Sequence, residues 1–335
     1  MLKSTELTSG FNGNIELPFE RPFELYHNAF SLCSMKVRLC LSELNIHYKS
    51  HHIELIETGC YENIRRSFKR INPSGTVPLL VHNGHPIYES HEQIRYAATQ
   101  AASNATQLIP MGAQSVIEME RWIGRSSLTT DPLSNAHLSA GNAVPGQTLP
   151  LFAMMIKSIP YYRICEGFLR HFDKRRPVMF CAMKFMGLDV FEKLSPLKNA
   201  LEDSRKYMHK HIDALEQHLK TAQGPWILGE QFSLADVSWL VIFERLRQAD
   251  SLDFFLPPNE RHACRTWWQA GIARPSYREA ILEHELPAVQ RGTESLRRLK
   301  NANSAVRELL TPQRVASPQN EATKVERTIN SEATR

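Results

Sequence analysis

The chain has 335 residues, of which 42% are hydrophobic and 22% charged, proportions that exclude disorder throughout and leave room for two domain-sized cores. Its 40 basic and 35 acidic residues leave a formal charge of +5. The basic residues are scattered apart from short runs at Arg65-Arg66, Lys174-Arg175-Arg176 and Arg297-Arg298, which excludes a nucleic-acid-binding stripe. The six cysteines form no CxxC pair and keep no metal-ligand spacing with histidine, and the chain opens on polar residues, so a reducing cytoplasm and no metal are expected.

Residues 1–19 are polar and carry Gly10, Asn12, Gly13 and Asn14, which reads as a flexible leader. Phe23-Glu24-Leu25-Tyr26-His27 alternates apolar and polar at period 2 and predicts a half-buried strand. From Ser34 onward, Val37, Cys40, Leu41 and Leu44 fall on one apolar helix face that stops near Asn45. A second strand over 47–55 and a short basic helix over 61–70 lead to the turn signal Asn72-Pro73-Ser74-Gly75. The apolar run 76–82, Asn83-Gly84 and Pro86-Ile87-Tyr88 predict a hairpin. Ser90 with Gln93 predicts a capping box on the helix behind it. The order is βαβ, a short helix, ββ, α, within a domain placed at 20–100.

The remainder, 101–298, reads as all-helical. Residues 116–122 are helical in pattern, the Ser/Asn/Gly/Pro-rich stretch 126–149 reads as a loop, and 150–194 suggests two or three short helices. No run of about 18 apolar residues exists; the nearest, 149–169, is interrupted by Lys157, Pro160, Arg163 and Glu166, so no transmembrane segment is expected. Residues 197–219 form a long amphipathic helix, and Ser233 with Asp236 forms a second capping box before 237–243, which is apolar nearly all round and predicts a buried central helix. Helices over 261–270 and 275–282 close the bundle, and 299–335 reads as a disordered tail.

Cys33 stands where the first strand meets the first helix, a place where free backbone amides and the helix dipole favour negative charge. Lys36 and Arg38 add positive potential within a turn. Ser31, two residues earlier, has a hydroxyl able to donate to a thiolate. Either residue also has a plain structural reading, a packed thiol or a turn serine. Glu89 and Ser90 open a helix whose N-terminus can receive a carboxylate. Pro78 inside a strand-like run lacks a ladder donor, which a cis bond or an exposed edge would accommodate.

Together, Ser31-Leu32-Cys33-Ser34-Met35-Lys36, Asn72-Pro73-Ser74-Gly75-Thr76-Val77-Pro78-Leu79-Leu80 and Glu89-Ser90 resemble the amino-terminal domain of glutathione transferases, and Trp226 to Phe243 with Arg274-Pro275-Ser276-Tyr277 resembles their helical domain. The resemblance implies a thioredoxin-like α/β domain followed by an all-α bundle, here with an enlarged helical insert at about 126–195. The active-site turn looks most like the zeta class and the tetrachlorohydroquinone reductive dehalogenases. It implies glutathione as cosubstrate and a small electrophile as second substrate. Ser31 or Cys33 would handle the thiol, and Ser34, Lys36, Val77, a cis Pro78, Glu89 and Ser90 would hold glutathione. Relatives are commonly dimers, so a homodimer is expected. Transferase activity, reductive dehalogenation through Cys33 and zeta-type isomerisation all fall within that resemblance. The alternative is a non-catalytic protein of the same fold that uses the insert to bind a partner or a membrane surface.

Overall fold

Phe23–His27 forms the strand that its alternation predicts, as an inner member of a five-stranded sheet in the computed structural model, which describes residues 9–129, 131–171 and 173–312. In chain order the strands are β1 (Gly10–Phe11), β2 (Phe23–His27), β3 (Lys49–His52), β4 (Leu79–His82) and β5 (His85–Tyr88). Their spatial order is β1-β5-β4-β2-β3, with β2 and β3 parallel and the other pairs antiparallel. A parallel pair needs a crossover, and α1 (Leu32–Glu43) supplies it. Asn83 and Gly84, both at positive φ, turn β4 into β5. Leu25, Leu80 and Ile87 lie opposite one another across the register and share a core with Val37, Leu41 and Ile94.

Five expectations are corrected in this half of the chain. The first helix begins at Leu32, because Ser31 rather than Ser34 is its N-cap. It is also buried beyond one apolar face, since it lies between α3 (Ser90–Gln100), α10 (Leu234–Gln248) and α13 (Pro275–Ala280). The leader is tied down over its described residues. Gly10–Phe11 pairs with β5, Asn12 donates to the Pro86 carbonyl at 2.9 Å, and Leu17 donates to the Gly84 carbonyl at 2.7 Å. An unpaired sheet edge accepts backbone from any composition, so polarity was no guide there. The Ser90–Gln93 capping box does not form. Gln93 instead donates to the carbonyls of Pro78 and Ile87, each at 2.9 Å. The basic helix of 61–70 is a 3-10 turn, Glu62–Ile64, followed by α2 (Arg66–Lys69).

The helical half runs through α4 (Ala113–Arg125), α5 (Ala140–Met155), α6 (Tyr161–Arg170), α7 (Arg175–Met186), α8 (Val190–Lys193), α9 (Ser195–Thr221), α10, α11 (Leu252–Phe255), α12 (His262–Ile272), α13 and α14 (Pro287–Ala302). The loop expected at 126–149 ends at α5, which is capped by Ser139 and contains Pro145 and Pro150. Its loop-like composition serves close packing: a Cβ on Gly146 would lie 2.4 Å from the Ser204 Cβ of α9, and one on Gly141 would lie 2.2 Å from the Ser126 carbonyl oxygen. Gln147 reaches the Leu201 carbonyl and the Ser204 hydroxyl, both at 3.0 Å. The capping box of α10 forms as expected. Asp236 accepts from the Ser233 amide and hydroxyl, and its other oxygen accepts from the Ile227 amide and the Trp267 indole.

Residues from Arg298 onward form a separate unit. The disorder expected from 299 is corrected over its first part, where α14 continues to Ala302 and α15 (Ser304–Leu310) follows under an Asn303 cap. Ala305, Arg307, Glu308, Leu309 and Leu310 favour a helix once it is capped. The rest of that expected tail, 313–335, and leader residues 1–8 lie outside the described residues.

Candidate active site

The turn between β2 and α1 is built around Asn28, which is fully buried. Its Oδ1 accepts from the Phe30 amide at 2.9 Å, and its Nδ2 donates to the Ile53 carbonyl at 2.9 Å and to the Thr58 hydroxyl at 3.0 Å. Ser31 then caps α1: its oxygen accepts from the Ser34 amide at 3.3 Å, and its hydroxyl donates to the Val77 carbonyl at 3.5 Å. Cys33 is the second residue of α1 and is half-exposed. The amides of Leu32 and Cys33 precede the intrahelical ladder, so the first turn offers unclaimed donors to an anionic atom.

Two guanidinium groups grip this turn from inside the protein. Arg38 donates to the carbonyls of Asn28 at 3.3 Å and Ala29 at 3.2 Å, and also to that of Ala280 at 2.8 Å. Arg245, reaching in from α10, donates to the Phe30 carbonyl and stacks on the Phe30 ring at 3.7 Å from its centroid. Three successive carbonyls ahead of Ser31 are thereby held. Burial lowers Arg38 to about 10 and Arg245 to about 9. Sequence reasoning assigned Arg38 only to the local potential and missed Arg245 entirely. The available signal for Arg245 was a cation two residues beyond a stretch expected to be buried.

Ser34 and Lys36, expected to hold glutathione, both lie inside the protein. Ser34 is fully buried, and its hydroxyl oxygen accepts from the Asn28 amide at 3.3 Å. Lys36 is 1% exposed, and its ammonium lies 2.6 Å from His91 Nε2. Burial lowers Lys36 to about 8, opposed by the Cys33 thiol. Burial, Lys36 and Arg95 lower His91 to about 2. A neutral His91 therefore accepts from Lys36 through Nε2 and can donate through Nδ1 to the Ser127 hydroxyl, 3.4 Å away.

These bonds link the segments that carry the remaining predicted residues. Ser31 bonds Val77, whose peptide bond to Pro78 is cis. Gln93 ties Pro78 to the end of β5, and Lys36 ties α1 to the start of α3, where Glu89 stands exposed at φ 63 and Ser90 is the first helical residue. Cys40 is fully buried, and burial pushes its thiol up. A cavity of about 200 Å³ at the far end of α1, beside Arg38, Asn45, Tyr48 and Glu279, and one of about 370 Å³ beside Glu216, His262 and Trp267 both lie away from Cys33. Among the described residues, no group of three or more His, Cys, Asp or Glu is placed to hold a metal ion.

Comparison with known proteins gives the same two halves. Residues 30–100 match the family described as "Glutathione S-transferase, N-terminal domain", and residues 198–291 match "Glutathione S-transferase, C-terminal domain". The chain belongs to the glutathione S-transferase family. Neither match spans 101–197, the stretch that contains α4 to α8. Among curated relatives, glutathione S-transferase TCHQD of Arabidopsis thaliana is 24% identical over 260 residues, covering 77% of this chain and 89% of that protein. Tetrachloro-P-hydroquinone reductive dehalogenase of Sphingobium chlorophenolicum is 21% identical over 266 residues, covering 76% and 94%. Of solved structures, the β-etherase LigF from Sphingobium sp. strain SYK-6 superimposes with a TM-score of 0.61 at 17% identity, covering 78% of this chain and all of that one. The glutathione S-transferase fold of this chain is therefore shown by sequence and structure together.

Proposed function

We propose that this glutathione-dependent enzyme is a thiol-transfer member of its family, in which Cys33 exchanges with glutathione while Ser31 positions the turn. The observation that carries this reading is the division of labour between the two side chains. The Ser31 oxygen already caps α1 and its hydroxyl is directed to Val77, whereas the Cys33 thiol is half-exposed and has no hydrogen-bond partner among the described residues.

In this reading glutathione lies along Val77 and Pro78, with its γ-glutamyl end at Glu89 and Ser90 and its sulfur at the first turn of α1. Its thiolate attacks an electrophilic carbon held by the helical half, forming a C–S bond as a leaving group such as halide departs with its electron pair. The Cys33 thiolate then attacks the sulfur of that conjugate. An S–S bond forms, the C–S bond breaks with its pair on carbon, and carbon takes a proton from solvent. A second glutathione thiolate releases Cys33 as glutathione disulfide. The net reaction consumes two glutathiones, replaces the leaving group by hydrogen and oxidises the two thiols to a disulfide. Reductive dehalogenation is such a reaction, and the name of the Sphingobium chlorophenolicum relative supports it.

Intact-mass measurement after incubation with glutathione disulfide tests the exchange step. The parent and the Ser31→Ala variant should each gain one glutathionyl group that a reductant removes, and Cys33→Ser should gain none. An adduct retained in Cys33→Ser would place the exchange on another cysteine and refute the assignment.

A further inference from the structure

We infer that the outer face of α6 and α7 is a docking surface for an anionic lipid bilayer. Of the sixteen large hydrophobic side chains exposed among the described residues, six lie on these two helices: Tyr161, Tyr162, Phe168, Leu169, Val178 and Phe185. Their spacing is not random. On α6 the exposed residues 161, 162, 165, 168 and 169 share one helical face, with exposed Arg170 outside it, and on α7 Val178 and Phe185 are two turns apart. Leu169 is 87% and Phe185 83% exposed.

The opposite faces are fully used by the chain itself. On α6, Ile164 and Gly167 are buried, and a Cβ on Gly167 would lie 2.4 Å from the Tyr61 hydroxyl oxygen. On α7, Phe180 and Met183 are buried, and the Phe180 ring meets that of Phe152 in α5 at 4.9 Å. The two helices pack on each other, and the Lys184 ammonium of α7 lies 4.8 Å from the Tyr161 ring centroid of α6. The pair is thus anchored on its inner side and apolar on its outer side.

Charge selects the partner. Residues 157–186 carry seven Lys or Arg against two acids, Glu166 and Asp173, a net of +5 that equals the net charge of the whole chain. Both acids are already paired, Glu166 with Arg170 at 2.6 Å and Asp173 with Arg175 at 2.9 Å. Lys174, Arg175 and Arg176 are exposed. An apolar face with tyrosines, rimmed by lysine and arginine, fits an acyl–headgroup boundary of negative potential. No helix among the described residues is long and apolar enough to cross a membrane, so the contact is peripheral.

Flotation of the full chain with vesicles tests the inference, using phosphatidylcholine alone and phosphatidylcholine containing phosphatidylserine. The parent should float with the anionic vesicles only, and raising salt from 50 to 500 mM, about a tenfold step, should release most of it. Leu169→Asp and Phe185→Asp should each weaken binding about tenfold or more, with circular dichroism and glutathione-conjugating activity unchanged. Absence of flotation, or equal flotation of the parent and both variants, would overturn the inference. A parent that self-associates through this face without floating, and whose variants are monomers, would also overturn it by making the face an interface between copies.

Discussion

The active-site turn and the α6–α7 pair use the same materials in opposite ways. At the turn, Lys36, Arg38 and Arg245 are buried, with a histidine or backbone carbonyls as partners, and the apolar residues around them are core. On α6 and α7, cations and large apolar side chains stand together in solvent. Inside the protein, a cation adds rigidity and charge beside the turn proposed for thiol exchange. Outside, it adds attraction to a surface. Which role a given arginine takes depends on what packs against its helix, and α1 is enclosed where α7 has an open side.

Removing one cation from each region is the sharpest way to break this comparison. Arg38→Met removes the side-chain donor from the carbonyls of Asn28, Ala29 and Ala280, of which Asn28 keeps the Ser31 amide, and should cost about 3 kcal/mol or more in urea unfolding. Arg175→Met should stay within about 0.5 kcal/mol of the parent. Equal effects would remove the distinction.

Lys36 should leave a signature in pH. Its folded value of about 8 lies below its ordinary 10.5, so between them the unfolded chain binds the extra proton and stability rises with pH. The rise should approach about 3 kcal/mol across that window and be missing from Lys36→Met.

Smaller effects should follow from packing and positioning. Gly146→Ala forces a methyl group against Ser204 and should cost about 2 kcal/mol. Arg245→Lys retains a charge but loses the planar stack on Phe30, and turnover should fall about tenfold while the glutathione KM changes little. A KM effect alone would make Arg245 a binding group and not a positioning one.

The amino-terminal half was legible because its signals are local. Alternation predicted β2, Asn83-Gly84 predicted the hairpin, and the place of Cys33 after a strand put it at a helix start. What the sequence hid depended on distant partners. Ser34 and Lys36 were expected to hold glutathione, but α3, α10 and α13 cover α1 from several sides and bury both. Gln93 looked like a capping residue, yet two carbonyls of a neighbouring segment claim it. The prolines and glycines of 140–155 carry the composition of a loop, and only α9 lying against them shows why a helix uses small residues there. The edge pairing of the leader was equally invisible, because backbone hydrogen bonds leave no mark in side-chain composition.

The most direct test of the central claim is turnover of a chlorinated hydroquinone with excess glutathione by the parent and by Cys33→Ser, followed by identification of the products. The account predicts that the parent releases the dechlorinated hydroquinone with one glutathione disulfide per chloride lost, while Cys33→Ser stops at the glutathionyl conjugate. A Cys33→Ser variant that forms the dechlorinated product as fast as the parent would contradict it.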